Sequence, residues 1–528
     1  MQNYIHIYIS ILLLMTISNC GGNNENKTTL VTPALPANQW QENIFLPESN
    51  FKNKCINPRS GVNPANSYNF PDIQGTTLDE NNYLRSYSNN TYLWYNEIVD
   101  RDPSLYSTQN YFDLLKATHD RFHFTYPTDE WLQLSQSGVS AGYGVTWAII
   151  STEQNRIFVA YTEPNSPATS ASVNLERGDE VIEIDGVDTN TSDNSAVSDA
   201  LYPSKEGLSH SFKIKKRDSG EIKEITMTSG NITSTPVQNT KVINTETGKV
   251  GYFVFNDHIA TAEEGLFDAI TQLKSNDIDD LVLDLRYNSG GYLAIANQLT
   301  YMIAGPIAAA GMSFETMQFN DKHPSTNPIT NEAISPIPFY TTTIGLSSLE
   351  NNTQLPSLDL TTGSLGKNRV YIITGNDTCS ASESIINSLI GIDVEVIQIG
   401  SITCGKPYGF YPTDNCGTTY FTVQFKGVNA KGFGDYSEGF SPRSNTNNTN
   451  MPAGCIIDDD LHHVLGDINE KRLAAALTFR STNACPSNSL ARSGLSQYSK
   501  TKQKITTNKS IWLSNKFIRK TKYENNLP

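Results

Sequence analysis

Thr378-Cys379-Ser380-Ala381-Ser382-Glu383 opens an apolar run at 385–390, and Gly400-Ser401-Ile402-Thr403-Cys404-Gly405-Lys406 closes a second one at 394–399. The first run has the spacing of a short helix and the second the length of a buried strand. Ser380 and Lys406, 26 positions apart, are therefore separated by one helix and one strand, which returns Lys406 to the helix start that carries Ser380. A serine hydroxyl is a poor nucleophile until a base takes its proton, and a lysine serves as that base only when neutral. Burial or a nearby cation lowers a lysine pKa enough for this. The two residues are a candidate hydrolytic dyad.

On the N-terminal side of this pair, strand-like and helix-like runs alternate at 250–255, 263–273, 281–285, 293–303 and 370–374. Such alternation predicts an α/β layered domain. A Thr-, Ser-, Pro- and Asn-rich stretch at about 305–368 interrupts it and reads as a surface insertion. A tetrahedral oxyanion needs fixed donors. Ser380 at a helix start places the Ala381 N–H toward a bound carbonyl, and the strand 281–285 runs into Asn288-Ser289-Gly290-Gly291, where glycine permits close backbone approach.

Each motif has a plainer explanation. Ser380-x-x-Glu383 is also the sequence of a capping box, and Lys406 in Gly-Lys-Pro suits a solvated turn. Residues 400–406 have the spacing of a phosphate-binding loop, but Pro407 stands where that motif needs Ser or Thr. His462-His463 beside Asp458-Asp459-Asp460 reads as a solvated turn before a helix at 470–479 rather than a metal site.

Between about 138 and 230, short apolar runs separated by turn residues predict a β module. Gly142-Tyr143-Gly144-Val145 leading into a strand, followed by Gly178-Asp179-Glu180-Val181-Ile182-Glu183-Ile184-Asp185-Gly186, resembles a PDZ domain. The resemblance implies that backbone amides at Tyr143, Gly144 and Val145 receive a peptide's C-terminal carboxylate while the peptide adds as a strand. Helical spacing at 84–124 predicts a small helical domain with a structural role.

The run 281–291 (Leu-Val-Leu-Asp-Leu-Arg-Tyr-Asn-Ser-Gly-Gly), then 378–383 and 400–406, in this order behind a PDZ-like module, resemble the motifs of the C-terminal processing peptidases, also called tail-specific proteases. The likeness spans roughly residues 80–480. It implies a multidomain α+β chain: a small N-terminal helical domain (51–136), a PDZ-like β domain (137–232) and an α/β serine peptidase domain (240–485) of the tail-specific protease (ClpP/crotonase-like) type. By this resemblance Ser380 is the nucleophile, Lys406 the general base, and the Ala381 and Gly290 amides the oxyanion donors, with Gly291 nearly as good. No cofactor or metal is implied. Many members carry Gln or Glu four residues after the lysine, where this chain has Phe410; Asn415 and Gln424 lie close enough in sequence to substitute. Residues 407–412 and 434–440 resemble a lipoprotein branch of the family.

Residues 7–17 are apolar but too short to span a bilayer, which predicts a signal peptide over 1–19. Ile17-Ser18-Asn19-Cys20-Gly21 looks like a lipoprotein box with Cys20 lipidated, followed by a tether over 20–50. No Lys or Arg precedes the apolar core, and Asn19 is larger than usual at its position. The expectation is an exported, membrane-anchored lipoprotein, periplasmic or associated with the outer membrane. Six further cysteines, at 55, 379, 404, 416, 455 and 485, suit three disulfides, of which Cys404–Cys416 would close a short loop. Formal net charge is -15, and residues 490–528 hold nine Lys or Arg against one Glu, leaving about -23 on the rest. Such a body repels nucleic acid. The basic end at 486–528 reads as a disordered tail. Together these features predict an exported serine endopeptidase whose PDZ-like domain captures the C-terminal tails of protein substrates. The alternative is a non-catalytic peptide-binding PDZ lipoprotein scaffold on a degenerate protease fold.

Overall fold

The computed structural model describes residues 40–63, 68–151, 155–189, 195–346, 357–443 and 449–487. The leader, Cys20 and the basic end from 488 onward lie outside the described residues. No described helix is long and apolar enough to cross a membrane.

Helix α1 (Thr77–Thr91) begins at a capping box between Thr76 and Asp79, and α2 (Thr108–Leu114) packs beside it. Their apolar positions bury Tyr83, Leu84, Tyr87, Tyr111 and Phe112 together with Tyr420, a residue from beyond Lys406. The strand Phe124–Pro127 pairs with Thr418–Phe421, and Cys55 is bonded to Cys416. The helical unit is thus built onto the segment that follows Lys406. The other bonds are Cys379–Cys404 and Cys455–Cys485, so the expected Cys404–Cys416 loop closure is wrong. Local spacing favoured that loop, but Cys404 folds back against the start of the helix carrying Ser380 instead.

The β module contains β1 (Val139–Gly142), β2 (Val145–Ser151), β3 (Asn155–Thr162), β4 (Glu180–Ile184), α3 (Ser195–Leu201), β5 (Ser209–Lys215), β6 (Ile222–Thr228) and β7 (Gly230–Thr233). Its sheet runs β6-β5-β4-β3-β2, leaving β2 at an edge among the described residues, while β1 pairs with β7. Side chains alternate across a strand. Trp147, Ile149, Ile157 and Val159 enter the module's own core, whereas Ala148, Phe158 and Ala160 pack into the core of the next domain.

That domain is organised by a sheet in the order β8-β9-β10-β11-β12-β13: β8 (Val237–Thr245), β9 (Gly248–Phe255), β10 (Asp280–Asp284), β11 (Arg369–Thr374), β12 (Glu395–Gly400) and β13 (Ala453–Ile456). The β8–β9 pair is antiparallel and the rest are parallel. Parallel strands need crossovers, and α4 (Ala262–Ser275), α5 (Leu293–Ala309) and α6 (Ala381–Gly391) supply them. These helices cover one face with Leu266, Leu299 and Ile386 against Phe253, Leu283 and Ile372. The opposite face, with Tyr252, Val282, Ile373 and Ile397, is covered by α7 (Lys471–Thr482) and by the β module. Every residue of β10 is buried, as a strand covered on both sides must be. Helix α5 breaks at Gly305 (φ 77°), just before Pro306.

Within the stretch expected to be an insertion, Ser313–Gln318 forms a strand paired with Phe425–Val428. Asn320 donates to the carbonyls of Asn90 and Tyr92, so this stretch braces the helical unit rather than standing off the surface.

Candidate active site

The C-terminal ends of β10, β11 and β12 deliver the three motifs to one place. Ser380 caps α6 with φ 54° and ψ -118°, a conformation that L residues rarely adopt and that costs about 1–3 kcal/mol. Its N–H donates to Glu383 Oε2 at 3.0 Å, the return half of the predicted capping box. In the other half of the box the Ser380 side chain faces the Glu383 N–H, and its hydroxyl donates to no group among the described residues. The strained turn therefore keeps the cap and leaves the proton of the half-buried hydroxyl uncommitted.

Glu383 is fully buried and does more than cap. Besides Ser380 it accepts the Gly405 N–H (2.8 Å), the Lys406 N–H (2.8 Å) and the Thr403 hydroxyl. One carboxylate thus binds the backbones of the Ser380 turn and the Lys406 loop. Burial pushes its pKa above the ordinary range, against these donors. The Cys379–Cys404 disulfide makes the same connection covalently.

Lys406 is buried, and desolvation lowers its pKa to about 8 against the attraction of Asp120 and Glu383. Its Nζ lies over two aromatic rings, 4.1 Å from the centroid of Phe410 and 5.2 Å from that of Phe122. Among the described residues it makes no hydrogen bond or ion pair. Phe410, which replaces the polar residue of the motif, is thus itself a wall of the lysine slot. Neither proposed substitute reaches the lysine. Gln424 accepts the Tyr411 N–H and donates to the Tyr87 hydroxyl, while Asn415 accepts the Asn53 N–H. Both side chains are tied to backbone and side-chain partners on the side of the helical unit.

The loop after β10 forms the other wall. The Asn288 carbonyl accepts from the Cys379 N–H (3.1 Å) and from the Ser382 hydroxyl (3.0 Å), on either side of Ser380. A Cβ at Gly290 would lie 2.7 Å from the Cys379 carbonyl oxygen and 2.8 Å from the Ala381 nitrogen, so only glycine fits. Gly290 corrects an expectation: its N–H donates to Asn288 Oδ1 at 2.9 Å. Asn288 Oδ1 also accepts from His258 Nδ1 at 2.9 Å, while Asn288 Nδ2 donates to the Phe255 carbonyl. Burial drives His258 to a pKa of about 3, so the ring is neutral and carries its proton on Nδ1. The exposed Gly291 amide and the Ala381 amide make no hydrogen bond among the described residues. They, rather than Gly290, are available for an oxyanion.

In the β module the Tyr143 side chain is buried against Phe212, edge to face, and its carbonyl accepts the Ala168 N–H. Tyr143 therefore has only its amide to offer a peptide. The Gly144 carbonyl is held by the Glu163 N–H, and Val145 pairs with Thr162 on the inner side of β2. Among the described residues the outer edge of β2 has no strand partner, and Trp147 Nε1 joins β2 to α3 by donating to the Leu201 carbonyl (3.1 Å).

The module is tied to the catalytic loops by Arg177. It donates to the Tyr287 hydroxyl (2.6 Å), Asp459 Oδ1 (2.8 Å) and the Ala160 carbonyl (2.7 Å). Asp459 also accepts from Arg286 and Tyr287, both in the loop that leads to Gly290. His462 is exposed in a turn as expected, but Asp459 beside it is an ion-pair node on which the buried guanidinium groups of Arg177, Arg286 and Arg472 converge. The described side chains close enough to hold a metal are Cys379, Glu383 and Cys404, and the two sulfurs are bonded to each other.

Sequence reasoning passed over Asn288 and Arg286, although both lie inside a motif it quoted. Phe122 and Arg177 carried no local signal, since they act through residues more than a hundred positions away, and His258 meets its partner Asn288 only where β9 and β10 lie side by side, thirty positions on.

Residues 249–409 match the family model of peptidase family S41, and residues 132–213 match that of the PDZ domain. Carboxyl-terminal-processing proteases of Picosynechococcus and Synechocystis are each 30% identical over 164 residues, covering 31% of this chain and 38% and 37% of their own lengths. The chain thus matches well under half the length of these relatives. A solved structure assigned to the S41 proteases from Bacteroides fragilis superposes with a TM-score of 0.55 at 23% identity, covering 78% of this chain and 98% of that one.

Proposed function

Because the chain carries an S41 peptidase domain behind a PDZ domain, we propose that it is a serine endopeptidase that hydrolyses protein substrates with the Ser380/Lys406 dyad. The observation that carries this reading is a serine hydroxyl on a strained helix start that donates to no group among the described residues, tied through Glu383 and a disulfide to the loop of a buried lysine whose pKa falls to about 8. Neutral Lys406 takes the Ser380 proton as Oγ attacks the scissile carbonyl. The oxyanion forms between the Ala381 and Gly291 amides, where fixed donors stabilise it. Collapse breaks the C–N bond, and the lysine's proton goes to the leaving amine. Water, deprotonated by the same lysine, then hydrolyses the acyl-enzyme and restores Ser380. The resting lysine slot supports this if Nζ swings off the Phe410 ring when substrate enters, since catalytic hydrogen bonds often tighten only in the complex.

The open edge of β2, with the amides of Tyr143, Gly144 and Val145 at its start, supports capture of substrate C-terminal tails by strand addition. Export and a lipid anchor at Cys20 belong to the same reading, supported by the leader and the Cys20 box. The absence of a Ser380–Lys406 hydrogen bond is what favours the scaffold alternative. One experiment separates them: cleavage of an unfolded protein by the parent, Ser380→Ala and Lys406→Ala across pH. The dyad requires activity that rises with pH through about 8, as the amine becomes neutral, and that vanishes in both variants. A folded parent that binds tail peptides yet cleaves at no pH is a scaffold.

A further inference from the structure

Resting on the peptidase reading, the placement of one disulfide says more. Cys379 immediately precedes Ser380, and Cys404 lies two residues before Lys406; the bond spans 25 residues with the Cα atoms 5.1 Å apart. Both half-cystines are also pinned to the parts of the site around them. The Cys379 N–H donates to the Asn288 carbonyl in the oxyanion loop (3.1 Å), and the Cys404 N–H donates to the Thr378 carbonyl (3.0 Å). Arg121 donates to the Cys404 carbonyl, and the next residue, Phe122, supplies one ring of the lysine slot. The disulfide therefore sits where the nucleophile turn, the lysine loop, the oxyanion loop and the aromatic wall meet.

The lysine loop needs such a tie. Residues 402–407 form no helix or strand, so their position depends on Glu383, on the Cys404 contacts and on this bond. The other two disulfides fasten different places: Cys55–Cys416 holds the helical unit, and Cys455–Cys485 joins β13 to the chain after α7.

We propose that Cys379 and Cys404 are positioning residues of the dyad, whose disulfide sets Lys406 against Ser380, so that hydrolysis requires the oxidised pair and thiol reductants switch it off. Cys404 is half-buried and Cys379 buried, so attack is assigned to the Cys404 sulfur. A dithiol attacks it as a thiolate, displacing the Cys379 thiolate, and its second thiol resolves the mixed disulfide. Two electrons and two protons pass to the cysteines, and the reductant leaves as its own disulfide. The freed lysine loop then relaxes toward solvent. A misplacement of about 1 Å is enough to cost about a hundredfold in rate.

The test compares the oxidised full chain, the same chain after dithiothreitol and after reoxidation, Cys379→Ser/Cys404→Ser, and Cys55→Ser/Cys416→Ser as control. Cleavage of an unfolded protein is one readout. The titration of Lys406, followed by NMR on protein carrying 13C at lysine Cε, is a second that does not depend on hydrolysis. Folding is monitored by circular dichroism. Loss of about a hundredfold in the Cys379/Cys404 variant and on reduction, recovery on reoxidation and an active Cys55/Cys416 control are expected. Lys406 should also titrate closer to 10.5 than to 8 once the bond is gone. A folded Cys379→Ser/Cys404→Ser protein that cleaves like the parent, or whose Lys406 titration is unmoved, overturns the proposal. A parent that cleaves nothing refutes the peptidase reading, while the titration still decides whether the disulfide places the lysine.

Discussion

Lys406→Met should stabilise the protein at neutral pH while abolishing hydrolysis. Burial holds the lysine at about 8 instead of 10.5, although Asp120 and Glu383 pull the other way. The unfolded chain then binds this proton more tightly than the folded one, so stability rises with pH across the window from about 8 to 10.5. Below that window the penalty is complete. At about 1.36 kcal/mol per pH unit it amounts to about 3 kcal/mol, a large share of an ordinary folding free energy. Methionine fills the slot between Phe122 and Phe410 with a side chain of similar length and no charge to desolvate. Urea unfolding of parent and variant, followed by tryptophan fluorescence, reads the difference. The variant should gain about 3 kcal/mol at neutral pH, and the gap should close as pH approaches 10.5. A variant less stable than the parent at neutral pH, or a gap that does not change with pH, would show that the lysine is not held against its charge.

Three other substitutions probe the frame around the dyad. Glu383→Gln replaces an acceptor of four hydrogen bonds with an amide that faces N–H donors on one side; at about 1–3 kcal/mol for each buried group left unpaired, turnover should collapse, and near-parental cleavage would remove Glu383 from the site. Asn288→Ala strands the buried His258 Nδ1–H and unties the loop that presents the Gly291 amide, and a misplacement of about 1 Å should lower kcat about a hundredfold with KM little changed; an effect confined to KM would contradict the role given to this loop. Arg177→Met removes the buried cation shared by Tyr287 and Asp459 and should cost about 3–5 kcal/mol. Limited proteolysis at the β-module junction is the measurement, and unchanged resistance would mean that Arg177 does not hold the two together.

The catalytic layers were legible because parallel strands covered on both faces must be continuous apolar runs, and each of 250–255, 281–285, 370–374 and 394–399 overlaps a strand of the central sheet. The β module was legible from its glycine-bounded strands, and residues 132–213 match the PDZ model. The disulfide pairing was not. Cys404 and Cys416 are near neighbours in the chain, but Cys416 bonds to Cys55 across 361 positions, and no local rule reports such a contact. The role of Glu383 was half legible: Ser-x-x-Glu announces a cap, and the structure keeps the cap while the same carboxylate also binds the Gly405 and Lys406 amides more than twenty positions on. The expected Gly290 donor failed for a comparable reason, since the short Asn288 side chain curls back onto the amide two residues on.

Residue types and spacings along the chain were enough to single out Ser380, Lys406 and the glycines at 290–291 and to order the helical, β and α/β parts, because strand and helix periods and turn chemistry are local properties. Tertiary structure alone decided what surrounds the lysine. Phe410 stands where a polar partner was sought, and Phe122 comes from a helical unit nearly three hundred residues upstream. Desolvation is a property of everything packed around a group, so the lowered pKa of Lys406 was set by the fold and not by its neighbours in sequence alone.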